Sequence, residues 1–414
     1  MRTAAVLVAT VVLAGCSSSP ISGKAVKASD GDAAVVALMD TGAYTVTPSH
    51  PFGAVGDNVS SQNLMEAHRI AEFTVGPWEV DDALRAMPGG FDAGLNSPLS
   101  SVKMIRDNGV MPNPWPDIAE AHGFRSGFAS ARVTSTGPER SLQNVVLEFP
   151  DAAAAAAATA EMVAQAPPRL DVAPGPPAPL QDTPESLAVS YALPDDVTRV
   201  DSFTAHGPYV LYQSAVSPRL STGANAALLA GSALNTQKKR IDEFTPTAPA
   251  DLPKLPLDPT GRLLSLTLSG PDNAAPVMAG VWAPQGWLNF EFDPVTAAAL
   301  FKTAGVDAVT QRLTTVYQAG NADGAARIAQ EFIKQMGTLV DVSPVDGVPG
   351  LPSAKCFQRN KGSLPATAAM TWQRILWHVR CVATVDRYVY TAFSADVADV
   401  RQQMAAQYRI LAGE

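Results

Sequence analysis

The stretch QNVVLEFPDAAAAAAATAEMVAQ, residues 143–165, has a counterpart in LTTVYQAGNADGAARIAQEFIKQ, residues 313–335. Each runs from a β-branched strand through a turn into an alanine-rich helix, so the apolar spacing changes period at the same place. A shift of 170 residues lays Val146 on Val316, Ala152 on Ala322, Glu161 on Glu331 and Met162 on Phe332. The same shift lays Leu170-Asp171-Val172-Ala173-Pro174 on Val340-Asp341-Val342-Ser343-Pro344. Further along, HGPYVLYQSA (206–215) resembles DRYVYTAFSA (386–395), with a shift near 180. Composition alone can imitate an alanine run. A retained order of strand, helix, DV-x-P loop and aromatic strand points instead to a duplicated unit, and it obliges both halves to share one architecture.

Two units agree with the length, since 414 residues exceed one ordinary compact domain. With 46% hydrophobic and 17% charged residues, the chain has enough apolar material for two cores. Between Thr245 and Pro259, five prolines in fifteen residues favour extended, semi-rigid backbone. The expected organisation is a first domain over 34–245, a proline-rich linker over 246–262 and a second domain over 263–414.

Local signals fill in the elements. Leu64, Met65, His68 and Ala71 share one side of a helix expected over 61–73. Asp81–Met87 reads as a short helix stopped by Pro88-Gly89-Gly90, and 91–117 as a long irregular connection. Asp293-Pro294 opens a helix, the Asp capping free amides and the Pro occupying the first turn; Gly305 closes it. Trp372–Ala383 alternates like a strand, with Ile375, Trp377, Val379 and Cys381 on one face and Arg374, His378 and Arg380 on the other. Asp386-Arg387 turns the chain into Tyr388–Phe393. A last helix presents Val397, Val400, Met404, Tyr408 and Leu411 on one stripe. Hairpins mixed with packing helices give α+β as the fold class: two related domains with antiparallel sheets packed by helices.

The N-terminus carries an address. Arg2 precedes an apolar run from Ala4 to Ala14, too short to span a bilayer, which needs about 20 residues, but suited to a secretory signal. Leu13-Ala14-Gly15-Cys16 resembles a bacterial lipobox. Small residues let the backbone enter a signal peptidase, and the Cys16 thiol takes a diacylglyceryl group to become the mature N-terminus. Residues 1–15 then form the signal peptide and 16–33 a flexible tether. The alternative is a plain signal peptide with a chance cysteine. Export leads to an oxidising compartment. With Cys16 used by lipid, Cys356 and Cys381 remain as a disulfide pair in the second domain. That bridge would contribute about 3.5 kcal/mol in the chain-entropy model. The alternatives are two free thiols or a metal pair, though no histidine has the spacing for a zinc site. A shift of 179 sets Ser202 opposite Cys381, leaving the first copy without the bridge.

The chemistry-bearing motifs are thin. A net charge of −9 without a basic stripe disfavours nucleic acid. No HExxH, Walker A, GxGxxG, EF-hand or paired CxxC occurs, so no catalytic residue, metal ligand or cofactor is assigned. His50, His68, His122, His206 and His378 are scattered. Ser100-Ser101-Val102-Lys103 has the SxxK form of penicillin-interacting enzymes, but no KTG or SDN accompanies it. Asp81-Asp82 and Asp195-Asp196 read as turn or helix-start charges. Trp282 and Trp287 flank Ala283-Pro284-Gln285-Gly286; they could line a ligand groove, but packing of a hairpin on the core accounts for them more simply.

With the lipobox, the duplication and the ending Cys381…Tyr388-Val389-Tyr390…Ala405-Ala406-Gln407-Tyr408, the chain resembles a family of surface lipoproteins of mycobacteria and related actinobacteria. Asp40-Thr41-Gly42-Ala43-Tyr44, Glu66-Ala67-His68-Arg69, His122-Gly123-Phe124 and Ala304-Gly305-Val306-Asp307 carry the likeness along the mature chain. More faintly, the strand–helix–strand units are similar to PknH-type extracellular sensor domains. The resemblance implies a location and a fold rather than an activity. The expectation is a lipid-anchored binding or interaction protein on the outer face of the cell membrane. Its partners would be the membrane, through Cys16, and an envelope ligand or protein bound at a cleft or surface between the halves. An envelope hydrolase and a structural envelope factor are the alternatives.

Overall fold

The computed structural model describes residues 33–88, 94–136, 139–180, 183–219, 225–270, 278–339, 341–360 and 378–413. Cys16, and Arg374, Ile375 and Trp377 of the expected strand, lie outside them. Among the described residues no helix is long and apolar enough to cross a membrane.

The first half runs α1 (Val59–Glu72), β1 (Ser97–Leu99), α2 (Val102–Asp107), α3 (Trp115–Ala121), β2 (Ser126–Val133), β3 (Ser141–Glu148), α4 (Ala152–Ala164), β4 (Ala178–Leu180), β5 (Thr183–Leu193), β6 (Val197–His206), β7 (Tyr209–Pro218) and α5 (Ala226–Ile241). The second half runs β8 (Gly280–Trp282), α6 (Pro284–Trp287), α7 (Pro294–Ala304), β9 (Ala308–Gln311), β10 (Thr315–Gln318), α8 (Ala322–Gly337), β11 (Val342–Val345), β12 (Lys355–Arg359), β13 (Val379–Val385), β14 (Tyr388–Ser394) and α9 (Val397–Ala412). The strand orders are β1-β2-β3-β7-β6-β5-β4 and β8-β9-β10-β14-β13-β12-β11. The second order is the first with each strand number raised by seven, and every pairing is antiparallel. Fold class and duplication are therefore both present in the architecture.

Register agrees with the repeat. Ala152 and Ala322 each begin a helix, capped by Asp151 and Asn321 side chains that accept from amides three residues on. Val146 pairs with Leu211, and Val316 with Tyr390. Tyr209 and Tyr388 each open the last strand, which fixes the shift there at 179 rather than 180. In the first sheet α4 packs on the face carrying Val145, Phe203 and Tyr212, while α5 packs on the face carrying Leu142, Val200 and Ala215. In the second sheet α9 covers Val379, Cys381, Ala383 and Tyr390.

Cys356 stands directly opposite Cys381 across β12 and β13, with Cα atoms 4.1 Å apart and sulfurs 1.94 Å apart, a disulfide-compatible pair. The equivalent cross-strand pair in the first sheet is Ala188 with Ser202. There a buried chain of side-chain hydrogen bonds runs from Ser202 to Gln213, Asn144 and Gln237, and on to the Phe73 carbonyl. Replacing both cysteines by alanine is expected to lower stability by about 3.5 kcal/mol. Denaturant melts of both proteins under nonreducing conditions check it; equal midpoints would remove the bridge from the account.

Three sequence expectations change. Asp81–Met87 is not helical. The Asp81 side chain accepts from the Ala83 amide and pairs with Arg140, holding a turn, and Ala86 then bridges to Val133. The span 91–117 holds β1, α2 and the start of α3, because Pro116 occupies the first turn of α3, where its missing N–H is harmless. The span 34–245 divides. Met39 sits in the core under α9, the Val35 amide donates to the Gly350 carbonyl at 2.7 Å, and the Tyr44 hydroxyl donates to Asp399 at 2.6 Å. This leading segment thus straps the second unit. It also pairs with the linker, Val55 donating to Leu255 and Leu257 to Gly53, so the prolines run along a docked strap.

The halves share a large apolar cluster. Ile70, Ala71, Phe128, Leu234 and Phe244 from the first half pack with Trp282, Trp287 and Phe290 from the second. Arg132 of β2 is fully buried and crosses this junction, donating to the carbonyls of Leu288, Asn289 and Glu291.

Candidate functional site

A cavity of about 510 Å³ opens on the first sheet, on the face shared with α4. Strand alternation builds its floor. Gln143 pairs with Ser214, Ser214 with Asp201, and Ser141 with Val216, so all of these side chains point one way. The loop after α2 supplies Gly109 to Asn113 as one wall, and Arg169, just beyond α4, closes the other side. A cavity of this size is in the range of small-ligand sites.

The floor is charged. Asp201 is fully buried and receives two arginines: Arg169 through Nε and Nη2, at 3.1 and 2.9 Å, and Arg199 through Nε at 3.0 Å. The Tyr212 hydroxyl donates to the same carboxylate at 3.1 Å. Burial alone would raise the Asp201 pKa, but the two guanidinium groups outweigh it and hold it below the ordinary value. Burial likewise opposes the charge on Arg199, and Asp201 reverses that, raising its pKa. The Arg169 guanidinium also lies 4.8 Å from the centre of the Trp115 ring. Two cations on one anion leave one positive charge in excess. Beside them Gln143, only 7% exposed, has an amide nitrogen with no hydrogen-bond partner.

The same place in the second sheet is filled. Register sets Phe393 where Ser214 stands, Phe357 where Val189 stands and Arg380 where Asp201 stands. Phe357, Phe393 and Met336 form a small apolar cluster there. Arg380, expected on the strand face opposite Cys381, lies there and is buried beside Glu291 and Tyr317. The two copies share a frame but differ at this floor. None of Gln143, Arg169, Arg199, Asp201 and Ser214 stands out in a motif search. The duplication itself holds the signal, since the 179 shift sets Ser214 on Phe393 and Asp201 on Arg380.

A second cavity, about 390 Å³, lies between the halves, lined by Met65, His68, Pro256 and Trp282 among others. Trp287 is 0% exposed and packs in the core, whereas Trp282, 1% exposed, both packs and borders this cavity. His68 stacks on Trp282 at 3.9 Å, and burial pushes its pKa down to about 4. Nearby, Glu148 is pushed up to about 7 by burial and by the Glu66 carboxylate. Their pH effects oppose. His68 favours folding above pH ~6.5, and that contribution is lost as pH falls through about 4. The Glu148 contribution is complete below pH ~4.5 and is lost as pH rises through about 7. His68→Phe is therefore expected to make stability fall more steeply with rising pH between 4.5 and 6.5, and Glu148→Gln to do the reverse. Each change should be on the order of 3 kcal/mol over its full range. Urea melts at stepped pH read the slopes, and variants with wild-type slopes would contradict the assignment.

The other residues singled out in the sequence are dispersed. Lys103 pairs with Asp107 while the Ser100 hydroxyl meets the Met104 sulfur, so SxxK assembles no nucleophile and base. His122 pairs with Glu161, His206 with Asp242 and His378 with Gln358. Asp195 and Asp196, both with positive φ, form the β5–β6 turn. Among the described residues no cluster of His, Cys, Asp and Glu suits a metal ion.

No curated protein matches the chain. Among solved structures it is similar to the extracellular domain of PknH from Mycobacterium tuberculosis, at 10% identity over 43% of this chain and 97% of that one, with a TM-score of 0.31. At that level the likeness says nothing about activity. The N-terminal model of a domain of unknown function, DUF7373, matches residues 54–257, the first sheet with its helices and most of the linker. Its C-terminal counterpart matches residues 263–414, the second sheet, and the chain belongs to the DUF7373 family.

Proposed function

We propose that the protein is a lipid-anchored binding or interaction protein of the cell envelope, held at the outer face of the membrane by Cys16, with its ligand site in the first copy. One observation carries the binding role: the sheet floor is open and polar in the first copy where phenylalanines fill it in the second. A duplicated frame needs only one copy to keep a solid core, and the other is free to hold a ligand. The anchor is supported by Leu13-Ala14-Gly15-Cys16 and the serines that follow, and the Cys356–Cys381 pair suits an oxidising compartment.

The test adds protease-treated envelope extract, in fractions, to the purified protein and follows its melting temperature. At least one fraction should raise it, and Ser214→Phe, which installs the residue of the second copy, should abolish the rise. An unchanged response in Ser214→Phe, or no active fraction, removes the binding role. Mass spectrometry of the N-terminal peptide of the protein from the membrane fraction should show an acylated Cys16 and no residues 1–15; an unmodified Cys16 would reject the anchor.

A further inference from the structure

We infer that the first-copy cavity takes an amphiphile with a single anionic group, a carboxylate or a phosphate, seated on Arg169 and Arg199. The inference rests on the binding role proposed above and names its ligand class. The buried end of the cavity carries two guanidinium groups against one carboxylate, so a second anion completes the charge balance there. Both arginine side chains retain exposure where they line the cavity, 13% and 23%. A guanidinium presents several N–H donors in a plane, and these two use part of that set on Asp201 and the Tyr212 hydroxyl. The unpartnered amide nitrogen of Gln143 and the Ser141 and Ser214 side chains stand beside them. Leaving a buried donor without a partner is unfavourable, and an anionic oxygen relieves it.

Away from the floor the lining is mixed, with Leu95, Val110, Met111 and Val216 forming an apolar part of the walls beside Arg106, Asn113 and Glu139. A bare inorganic ion would leave those walls wet; an acyl or alkyl segment covers them. At the rim, Arg106 is paired with Asp117, and Glu139 is solvent-exposed with no ion pair to either floor arginine among the described residues. The rim therefore carries one exposed, solvent-screened negative charge from Glu139, and the positive excess lies at the buried floor.

Calorimetric titration of the mature chain with decanoate, decyl phosphate, decanol and inorganic phosphate tests the class. Decanoate or decyl phosphate should bind at least tenfold more tightly than decanol, and more weakly as salt is raised. Whichever of the two binds better identifies the anionic group. Inorganic phosphate alone should bind more weakly than decyl phosphate. Arg199→Gln should reduce the anion affinity at least tenfold; Arg199→Lys, which keeps the charge beside Asp201, serves if the glutamine variant does not fold, and should lose affinity through its missing planar donors. Ser214→Phe should abolish binding. Decanol binding as tightly as the anions, or anion binding unaffected in Ser214→Phe, overturns the inference. If an envelope fraction protects the protein through this cavity while neither anion binds, the binding role stands and the anion class falls.

Discussion

Trp282→Ala is expected to destabilise the protein by about 3–5 kcal/mol, the range for removing a large buried aromatic, and to split one unfolding transition into two. The indole is 1% exposed, stacks on His68, and meets Phe128 and Phe290 edge-on, while its Nε1–H donates to the Met278 carbonyl at 2.8 Å. It belongs to β8, the edge strand of the second sheet, yet His68 and Phe128 come from the first half. Truncation therefore leaves a cavity in an apolar cluster shared by both halves. It also leaves the Met278 carbonyl without its indole donor. The second half keeps the Cys356–Cys381 pair and the leading strap, so it should unfold last. Differential scanning calorimetry reads both effects. A single transition displaced by under 1 kcal/mol would mean that the halves are coupled elsewhere, through Arg132 or the docked linker.

Much of this frame was legible in the sequence, and physics separates what was from what was not. The duplication marked an alanine-rich helix after a strand and a turn in both copies, and α4 and α8 lie there, their starts set by the Asp151 and Asn321 caps. The Cys356–Cys381 pairing followed from elimination and lies on adjacent strands. The leading segment misled because proximity in sequence suggests the first sheet. Met39 instead finds its apolar partners under α9, more than 300 residues away along the chain. Arg380 does lie on the face opposite Cys381 that alternation gives it, yet it is buried. Alternation assigns it a face, but a face turns to solvent only where nothing covers it, and Glu291 and Tyr317 meet it there. The cavity floor was hidden for the same reason: Asp201, Arg169 and Arg199 come from separate elements and resemble surface charges until the register brings them together.

Asp201→Ala is expected to have a comparably large effect, about 3–5 kcal/mol, because removing one partner of a buried ion pair leaves the remaining charge uncompensated. Here it strands two guanidinium groups and the Tyr212 hydroxyl at once. Asp201→Asn keeps one accepting oxygen and the side-chain shape, but it loses the charge and turns an NH2 group toward donors that a carboxylate oxygen had satisfied, so it should be milder than alanine without being silent. The Asp201 pKa is lowered in the fold, so its contribution is complete above pH ~3.8 and is lost as pH falls through the lower folded value. The asparagine variant should accordingly lack the part of the acid-induced loss of stability that this carboxylate supplies in the wild type. With the internal carboxylate gone, the floor carries two positive charges, and an added anion should recover more stability in Asp201→Asn than in the wild type. Urea melts with and without decanoate compare the two recoveries. Equal recoveries would show that Asp201 and the ligand do not share the same pair of arginines. A greater recovery in the variant would identify Asp201 as the internal stand-in that keeps the two arginines together while the cavity is empty.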